Sequence, residues 1–239
     1  MRAVKDRRVV ERQRPFLTSA LDFVVHPNDR FILVGRWDDQ TLFNQSISVV
    51  NVAMNGTVSM GNTFPNAAGG RLAIHSSGSL LFTATNATNY DVGNNLNRFE
   101  SYRIDQNTGA LQLLNSTSLA AYATRWDFSI DQARNRIYFR STIYDSGNYS
   151  VLSRSITPFG INALTGQLTA GQSFARIGPD EAAYDSTSPV VYTTLPTNNT
   201  FEASTIYRAT IGSTGSLSAP VALVNDSSFL TNLNLVHFP

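Results

Sequence analysis

Residues 71–117 read RLAIHSSGSLLFTATNATNYDVGNNLNRFESYRIDQNTGALQLLNST, and this stretch indicates the fold most clearly. It contains four short runs with the alternation of apolar and polar residues that is typical of β-strands, at 72–75, 80–85, 98–104 and 110–115. Between them lie Ser-Ser-Gly-Ser, a long Asn- and Asp-rich segment, and Asp-Gln-Asn-Thr-Gly, which tolerate the dihedral angles of turns. Four strands and three turns within about 50 residues match one blade of a β-propeller.

Two landmarks repeat along the chain in the same phase. The first follows the innermost strand and starts at five positions: His26, His75, Asp131, Asp185 and His237. The second is a turn glycine later in each unit, and it occurs at four positions: Gly56, Gly109, Gly166 and Gly215. Because the two landmarks are independent, their common spacing indicates true structural repeats.

The repeats predict an all-β protein, a β-propeller of four-stranded blades with four complete blades and the start of a fifth. The complete blades are expected at about 19–64, 69–119, 124–174 and 178–223, and the partial blade at 232–239. Residues 1–18 form either a basic N-terminal extension or part of an outer strand. The ring could close with four or five units, but we expect the chain to be part of a larger ring.

Charge and composition exclude several classes of protein. The net charge of +1 reflects six basic residues in the first 14, and from residue 15 onward 12 basic residues face 15 acidic ones. This balance gives no basic face for nucleic acid, and no apolar run reaches the ~18 residues that span a bilayer. The absence of cysteine excludes disulfides and thiolate metal sites, and we predict no cofactor. The protein would be cytoplasmic if Met1 is the true start and secreted if an N-terminal leader is missing.

The three histidines share one repeat position. His26, His75 and His237 all begin the first landmark, so we predict a common structural role in the turn after the innermost strand. Catalytic triads and histidine-rich metal sites need convergence of different positions, which a single repeated position does not provide.

A better candidate site comes from the position four residues before each first landmark. That position holds Asp22, Arg71, Asp127, Glu181 and, before the last landmark, Leu233, and Arg125 lies two residues before Asp127. Since innermost strands surround the central tunnel of a propeller, these side chains are expected to meet at one opening. A carboxylate there could take a proton from water while an arginine holds an acidic substrate. The alternative is that the charges only pair with one another or solvate the tunnel.

The stretches at 26–34 (HPNDRFILV) and 102–111 (YRIDQNTGAL) resemble the lactonase-type seven-bladed propeller family. That family includes 6-phosphogluconolactonase and the carboxymuconate-lactonizing enzymes. The resemblance extends over 21–239 and implies hydrolysis of a small acidic sugar lactone in carbohydrate metabolism. Seven blades of this size need about 350 residues, so the resemblance also implies that this chain is truncated.

One motif of the family differs here. A Gly-Pro-Arg-His segment precedes a blade's first strand in the family, and the matching segment here is Gly178-Pro-Asp-Glu181. Two readings therefore stay open. The chain is either a lactonase acting on an acidic lactone, or a non-catalytic propeller that binds a protein or glycan through Asn- and Asp-rich loops. In either case an open ring would favour self-association.

Overall fold

The computed structural model describes residues 20–38, 41–85, 98–118, 124–144, 151–175, 182–184, 188–196 and 203–225. In these ranges the chain is all β apart from one short 3-10 helix, Gln132–Arg134, and its strands form four antiparallel sheets. The predicted all-β, propeller-like fold is confirmed. The predicted N-terminal extension and partial fifth blade lie outside the described residues.

The strands follow one another in chain order. They are β1 Ala20–Val25, β2 Phe31–Asp38, β3 Thr41–Val52, β4 Val58–Pro65, β5 Arg71–Ile74, β6 Leu80–Ala84, β7 Arg98–Ile104, β8 Leu111–Ser118, β9 Thr124–Asp131, β10 Arg136–Tyr144, β11 Val151–Ile161, β12 Leu168–Ala170, β13 Phe174–Ala175, β14 Ala182–Tyr184, β15 Val190–Pro196, β16 Ala203–Thr210 and β17 Val221–Asn225.

Each sheet pairs its strands in sequence order, apart from β13, which pairs with β11. We name the sheets blade 1 (β1–β4), blade 2 (β5–β8), blade 3 (β9–β13) and blade 4 (β14–β17). The decisive stretch forms blade 2, and three of its four strands lie within a residue or so of their predicted bounds. The outer strand β8 extends to Ser118 instead of ending at residue 115, because its polar C-terminal half stays paired with β7. Its exposed Ser and Thr side chains carry no hydrophobic alternation that would have predicted this.

Blade 3 differs from the predicted four strands, because its outer strand is split. Both β12 and β13 pair with β11, but the pairing is interrupted opposite Pro158. A proline has no N–H to donate to a neighbouring strand, so it breaks the ladder of hydrogen bonds. The carbonyl of Pro158 still accepts the Gly171 N–H at 2.7 Å, and residues 171–173 face only two residues of β11 before pairing resumes.

Three apolar layers join the blades. Blades 1 and 2 share a cluster that includes Phe31, Leu33, Ile47, Val49, Leu72, Leu81, Tyr102 and Ile104. Blades 2 and 3 share a cluster that includes Leu80, Phe82, Phe99, Phe128, Ile137, Phe139 and Phe159. Blades 3 and 4 share a smaller cluster of Tyr138, Ile156, Val191, Ala209, Ile211 and Leu217. The hydrophobic core is thus a series of layers between consecutive sheets.

The second sequence landmark contributes to these layers. All four landmark glycines have positive φ, which only glycine adopts at little cost. A Cβ built on Gly109 would lie 2.9 Å from Cγ1 of Val49 in blade 1. A Cβ on Gly166 would lie 2.3 Å from Cδ1 of Leu114 in blade 2. The turn of each of these blades therefore packs closely on the blade before it.

The first landmark joins neighbouring blades by hydrogen bonds. The buried His26 accepts the Asn28 N–H on Nδ1 at 3.2 Å, so its Nε2–H donates to the Gly78 carbonyl of blade 2 at 2.7 Å. The buried His75 makes the equivalent contact one blade further on. Both histidines have the structural role that their shared repeat position predicts, while His237 lies outside the described residues.

His75 gives a quantitative test of this contact between blades. Its Nδ1 accepts the Ser77 N–H at 3.2 Å, and its Nε2–H donates to Oδ1 of Asn135 in blade 3 at 2.8 Å. We expect His75→Ala to lower the free energy of unfolding by about 2–3 kcal/mol, since it removes a buried side chain together with both of its hydrogen bonds. Asn135→Gly, which suits the positive φ of 49° at that residue, should cost about 1 kcal/mol.

The two changes should not be additive. In urea unfolding of both single variants and the double variant, the coupling between the two sites should be about 1 kcal/mol. Additive losses would mean that the hydrogen bond between blades contributes nothing to stability.

Candidate functional site at the entry end of the inner strands

The innermost strands are adjacent in the order β1, β5, β9, β14. The first three begin at the same end, since Asp22 near the start of β1 contacts the start of β5, His26 after β1 contacts the turn after β5, and His75 after β5 contacts Asn135 after β9. We call the end at which these strands begin the entry end. Four of the five predicted site residues lie in the first half of these strands, and Glu181 lies outside the described residues.

The structure brings Asp22 and Arg71 together across two blades. An Arg71 guanidinium nitrogen lies 3.8 Å from Oδ2 of Asp22, and the Arg71 side chain is 52% exposed. The same Oδ2 accepts the Leu72 N–H at 2.9 Å, while Oδ1 accepts the Phe23 N–H at 2.9 Å. Asp22 therefore ties β1 to β5 and also orients Arg71 at the surface of the entry end. An ion pair this exposed adds little to stability.

For the other three predicted residues, the structure describes at most the backbone. Arg125 and Asp127 lie in β9, and their side chains are outside the described part of the structure. Glu181 lies outside the described residues, directly before β14. Because β9 adjoins both β5 and β14, the backbone positions are compatible with one shared opening. The convergence of all four repeat-position side chains stays a prediction.

Arg140 is a residue that the sequence analysis missed. It lies directly opposite Asp127 in the β9–β10 pair, and it is only 2% exposed. Directly opposite residues of an antiparallel pair share one face of the sheet, so Arg140 is at the register position closest to Asp127. A signal existed in the sequence, because Arg140 directly follows the apolar run Ile137-Tyr-Phe139 within the strand.

A second missed group surrounds the buried carboxylate of Glu100. Oε2 of Glu100 accepts the Tyr102 hydroxyl at 2.5 Å and the Ala68 N–H at 2.9 Å. Oε1 accepts the Ser116 hydroxyl at 3.3 Å and lies 3.3 Å from Nε of Arg98. With Glu100 only 2% exposed, this carboxylate depends on these four partners.

The Glu100 group fixes the linker that crosses from blade 1 to blade 2. Arg98 donates to the Asn66 carbonyl at 2.5 Å, and the Gly69 N–H donates to Oε1 of Gln45 at 3.0 Å. Burial and the neighbouring Glu100 carboxylate both raise the pKa of Tyr102, so its hydroxyl stays protonated as a donor. Since β5 starts directly after the linker, these contacts also set the position of Arg71.

The described ranges contain neither a metal-binding cluster nor a membrane-spanning helix. No three His, Asp or Glu side chains there lie close enough together to hold a metal ion. No helix in those ranges is long and apolar enough to cross a membrane.

Comparison with known proteins gives the fold family. No protein-family model matches the sequence, and no curated protein sequence matches it significantly. A candidate 6-phosphogluconolactonase from Bacteroides fragilis has a similar structure, with a TM-score of 0.61 and 12% sequence identity. A candidate 6-phosphogluconolactonase from Bacteroides uniformis (TM-score 0.62, 12% identity) and a protein from Lactobacillus plantarum (0.62, 16%) are also similar. The chain has the fold of 6-phosphogluconolactonase-like β-propellers.

The match covers unequal shares of the compared chains. It includes 86–87% of this chain but only 55% of each of the three solved structures. This chain therefore spans about half the length of the propellers it resembles. At 12–16% identity the similarity shows the shared fold, and it does not by itself transfer an activity.

Glu100→Gln tests whether the Glu100 group supports the entry end. The amide would bring a new donor against Arg98 and the Ala68 N–H, and it would leave the partly buried Arg98 guanidinium without its counter-charge. We expect a loss of about 3 kcal/mol in the free energy of unfolding, measured in urea. Asp105→Asn, in the exposed turn between β7 and β8, keeps its acceptor oxygen and should cost under 1 kcal/mol. Equal losses in the two variants would contradict a supporting role for Glu100.

Proposed function

We propose that the chain is a lactonase-like β-propeller that hydrolyses a small acidic sugar lactone such as 6-phosphogluconolactone. The observation that carries the proposal is the Asp22–Arg71 pair, which places a half-exposed guanidinium at the entry end on adjacent inner strands. The fold shared with candidate 6-phosphogluconolactonases supports the choice of substrate class.

In this proposal the arginines hold the acidic group of the substrate. Arg71 or Arg125 would donate paired hydrogen bonds to a phosphate or carboxylate, which a planar guanidinium matches in shape. The contact with Asp22 would keep Arg71 turned toward the opening. Asp22 is less suited to proton transfer, because both of its oxygens already accept backbone N–H groups.

The carboxylates would activate water. Glu181 or Asp127 would accept a proton from a water molecule as its oxygen attacks the lactone carbonyl carbon. The ester bond to the ring oxygen would then break, and the proton would pass to that oxygen to leave a hydroxyl group. The product is the open-chain acid. Arg140, opposite Asp127 in register, would favour the ionised form that a base requires.

The test is hydrolysis of 6-phosphogluconolactone by the purified chain, with the spontaneous rate subtracted. Exchanging the base, by Glu181→Gln or Asp127→Asn, should lower kcat by about 100-fold or more. Arg71→Lys should mainly raise KM, since lysine cannot form the paired hydrogen bonds. Asp29→Asn, an exposed carboxylate in the turn at the opposite end of blade 1, is the matched control and should keep the original rate.

A rate no higher than the spontaneous one would overturn the proposal. Original rates in both Glu181→Gln and Asp127→Asn would remove these carboxylates from the mechanism. The alternative function is a non-catalytic propeller that binds a glycan or protein, and the structural use of Asp22 favours it. Binding on a glycan array without any lactone turnover is the result expected for that alternative.

A further inference from the structure

We propose that Asn55, in the turn between β3 and β4, is an N-glycosylation site of this chain. The covalently attached oligosaccharide would lie on the outer half of blade 1, away from the entry end. The proposal is independent of the proposed function. It rests on the sequence, the exposure and the surroundings of this turn.

The acceptor sequence for N-linked glycosylation is Asn-X-Ser or Asn-X-Thr, with X other than proline. It occurs seven times in this chain, at Asn44, Asn55, Asn86, Asn115, Asn148, Asn198 and Asn225. The structure describes the side chains of two of these asparagines, Asn55 and Asn115. An attached oligosaccharide is bulky and needs an exposed position, which allows the two sites to be compared.

Asn55 lies at the tip of a short turn that is closed by its own backbone. The Ala53 N–H donates to the Thr57 carbonyl at 2.8 Å, and the Gly56 N–H donates to the Ala53 carbonyl at 2.8 Å. All residues from 53 to 57 are exposed. Oδ1 of Asn55 accepts the Thr57 N–H at 3.0 Å, while Nδ2 has no hydrogen-bond partner among the described residues. Nδ2 is the atom to which the sugar would be linked.

The turn also has open space around it. A Cβ built on Gly56 has no described atom within 4 Å, and the adjacent Met54 side chain is fully exposed. At Gly109, Gly166 and Gly215 the nearest atom to such a Cβ lies 2.1–2.9 Å away, on a residue of the preceding blade. Of these four turns as the structure describes them, the turn of blade 1 has the room that an oligosaccharide needs.

The outer half of blade 1 presents a surface without charge. Residues 40–70, which include β3, β4 and the turn between them, contain no Asp, Glu, Lys, Arg or His. Exposed side chains there include Asn51, Ser59 and Thr63. Charged side chains normally keep a protein surface hydrated, and an N-linked oligosaccharide supplies hydroxyl groups for the same purpose. A glycan at Asn55 therefore hydrates the part of blade 1 that has no charged residue.

Asn115 occupies a different kind of place. It is half-buried in β8, directly opposite Ser101, and the Ser101 hydroxyl donates to the Gly166 carbonyl of blade 3 at 3.0 Å. Ser116, the middle residue of this acceptor sequence, donates its hydroxyl to the buried Glu100. Because opposite residues share one face of the sheet, a sugar on Asn115 would be forced against blade 3. We therefore expect the folded chain to carry no glycan at Asn115.

The reaction needs a lipid-pyrophosphate-linked oligosaccharide as the second substrate, so it takes place on a chain that enters the export pathway. Nδ2 of Asn55 attacks C1 of the first sugar and forms the new bond. The bond between C1 and the pyrophosphate oxygen breaks, and that oxygen keeps the electron pair as the lipid pyrophosphate leaves. The amide nitrogen loses one proton to a base of the transferring enzyme.

A glycan at Asn55 leaves the entry end free. The Val52 N–H donates to the Arg30 carbonyl at 2.7 Å, so the turn after β3 lies beside the turn between β1 and β2. Both turns are at the end of blade 1 opposite to the entry end. The proposed lactone site and the proposed glycan are therefore separate, and each can be tested without the other.

Site-resolved mass spectrometry tests the proposal. The protein is isolated from the cells that make it naturally, and the full chain is also secreted from cultured eukaryotic cells behind an added export signal. Peptide-N-glycosidase in heavy-oxygen water converts each glycosylated asparagine to a labelled aspartate. In both preparations we expect the label at Asn55 in most molecules and no label at Asn115. An unlabelled Asn55 in either preparation, or a labelled Asn115 in the folded protein, would overturn the proposal.

Gel mobility of the secreted chain gives a second readout. Asn55→Gln and Thr57→Ala should each remove one glycan, whereas Thr57→Ser keeps the acceptor sequence and should retain it. Asn107→Gln is the matched control, because Asn107 is exposed in the equivalent turn of blade 2 but is followed by Thr and Gly. This control should run like the original chain. Unchanged mobility in both Asn55→Gln and Thr57→Ala would rule out Asn55 as the site.

Discussion

The structure depends on one constraint: the inner blades have apolar residues on both faces and are stable only between neighbours. Leu80 and Leu81 illustrate it, because these consecutive residues of β6 point to opposite sides and both are at most 1% exposed. Leu81 packs with blade 1 and Leu80 packs with blade 3. A single sheet of this kind would expose both of its apolar faces to water, so the blades have to stack as a series.

Polar contacts then fix how each blade is placed on the next. At one end the histidine turns donate to the following blade, and at the entry end Asp22 accepts the Leu72 N–H. The Glu100 group holds the linker between blades 1 and 2 in the same region. Hydrophobic layers tolerate some sliding, whereas hydrogen bonds need a defined geometry. These contacts therefore set the position of the residues that begin each inner strand, among them Arg71.

The local features of the fold could be predicted from the sequence because they repeat. The strands of blade 2, the turn glycines and the structural histidines all recur at a fixed phase, so each repeat supports the others. The split outer strand of blade 3 has no such support, since a single residue, Pro158, causes it. The Glu100 group also escaped prediction, because its partner Ala68 lies 32 residues away and on a linker without any pattern. The sequence predicted only that Asp22 and Arg71 occupy equivalent positions on adjacent strands. The distance between their side chains could be measured only in the structure.

The proposed site requires that the inner strands stand side by side and bring their first residues to one opening. The most direct measurement is the distance between spin labels on cysteines placed at residues 71 and 181, one in blade 2 and one beside blade 4. Since stacked sheets lie about 10 Å apart, two steps between blades predict a distance of about 20 Å. Because dilution with unlabelled chain removes any contribution from a second copy, a single distance near that value would support this arrangement of the strands. A distance of twice that or more would contradict it, because these residues would then lie on separate surfaces.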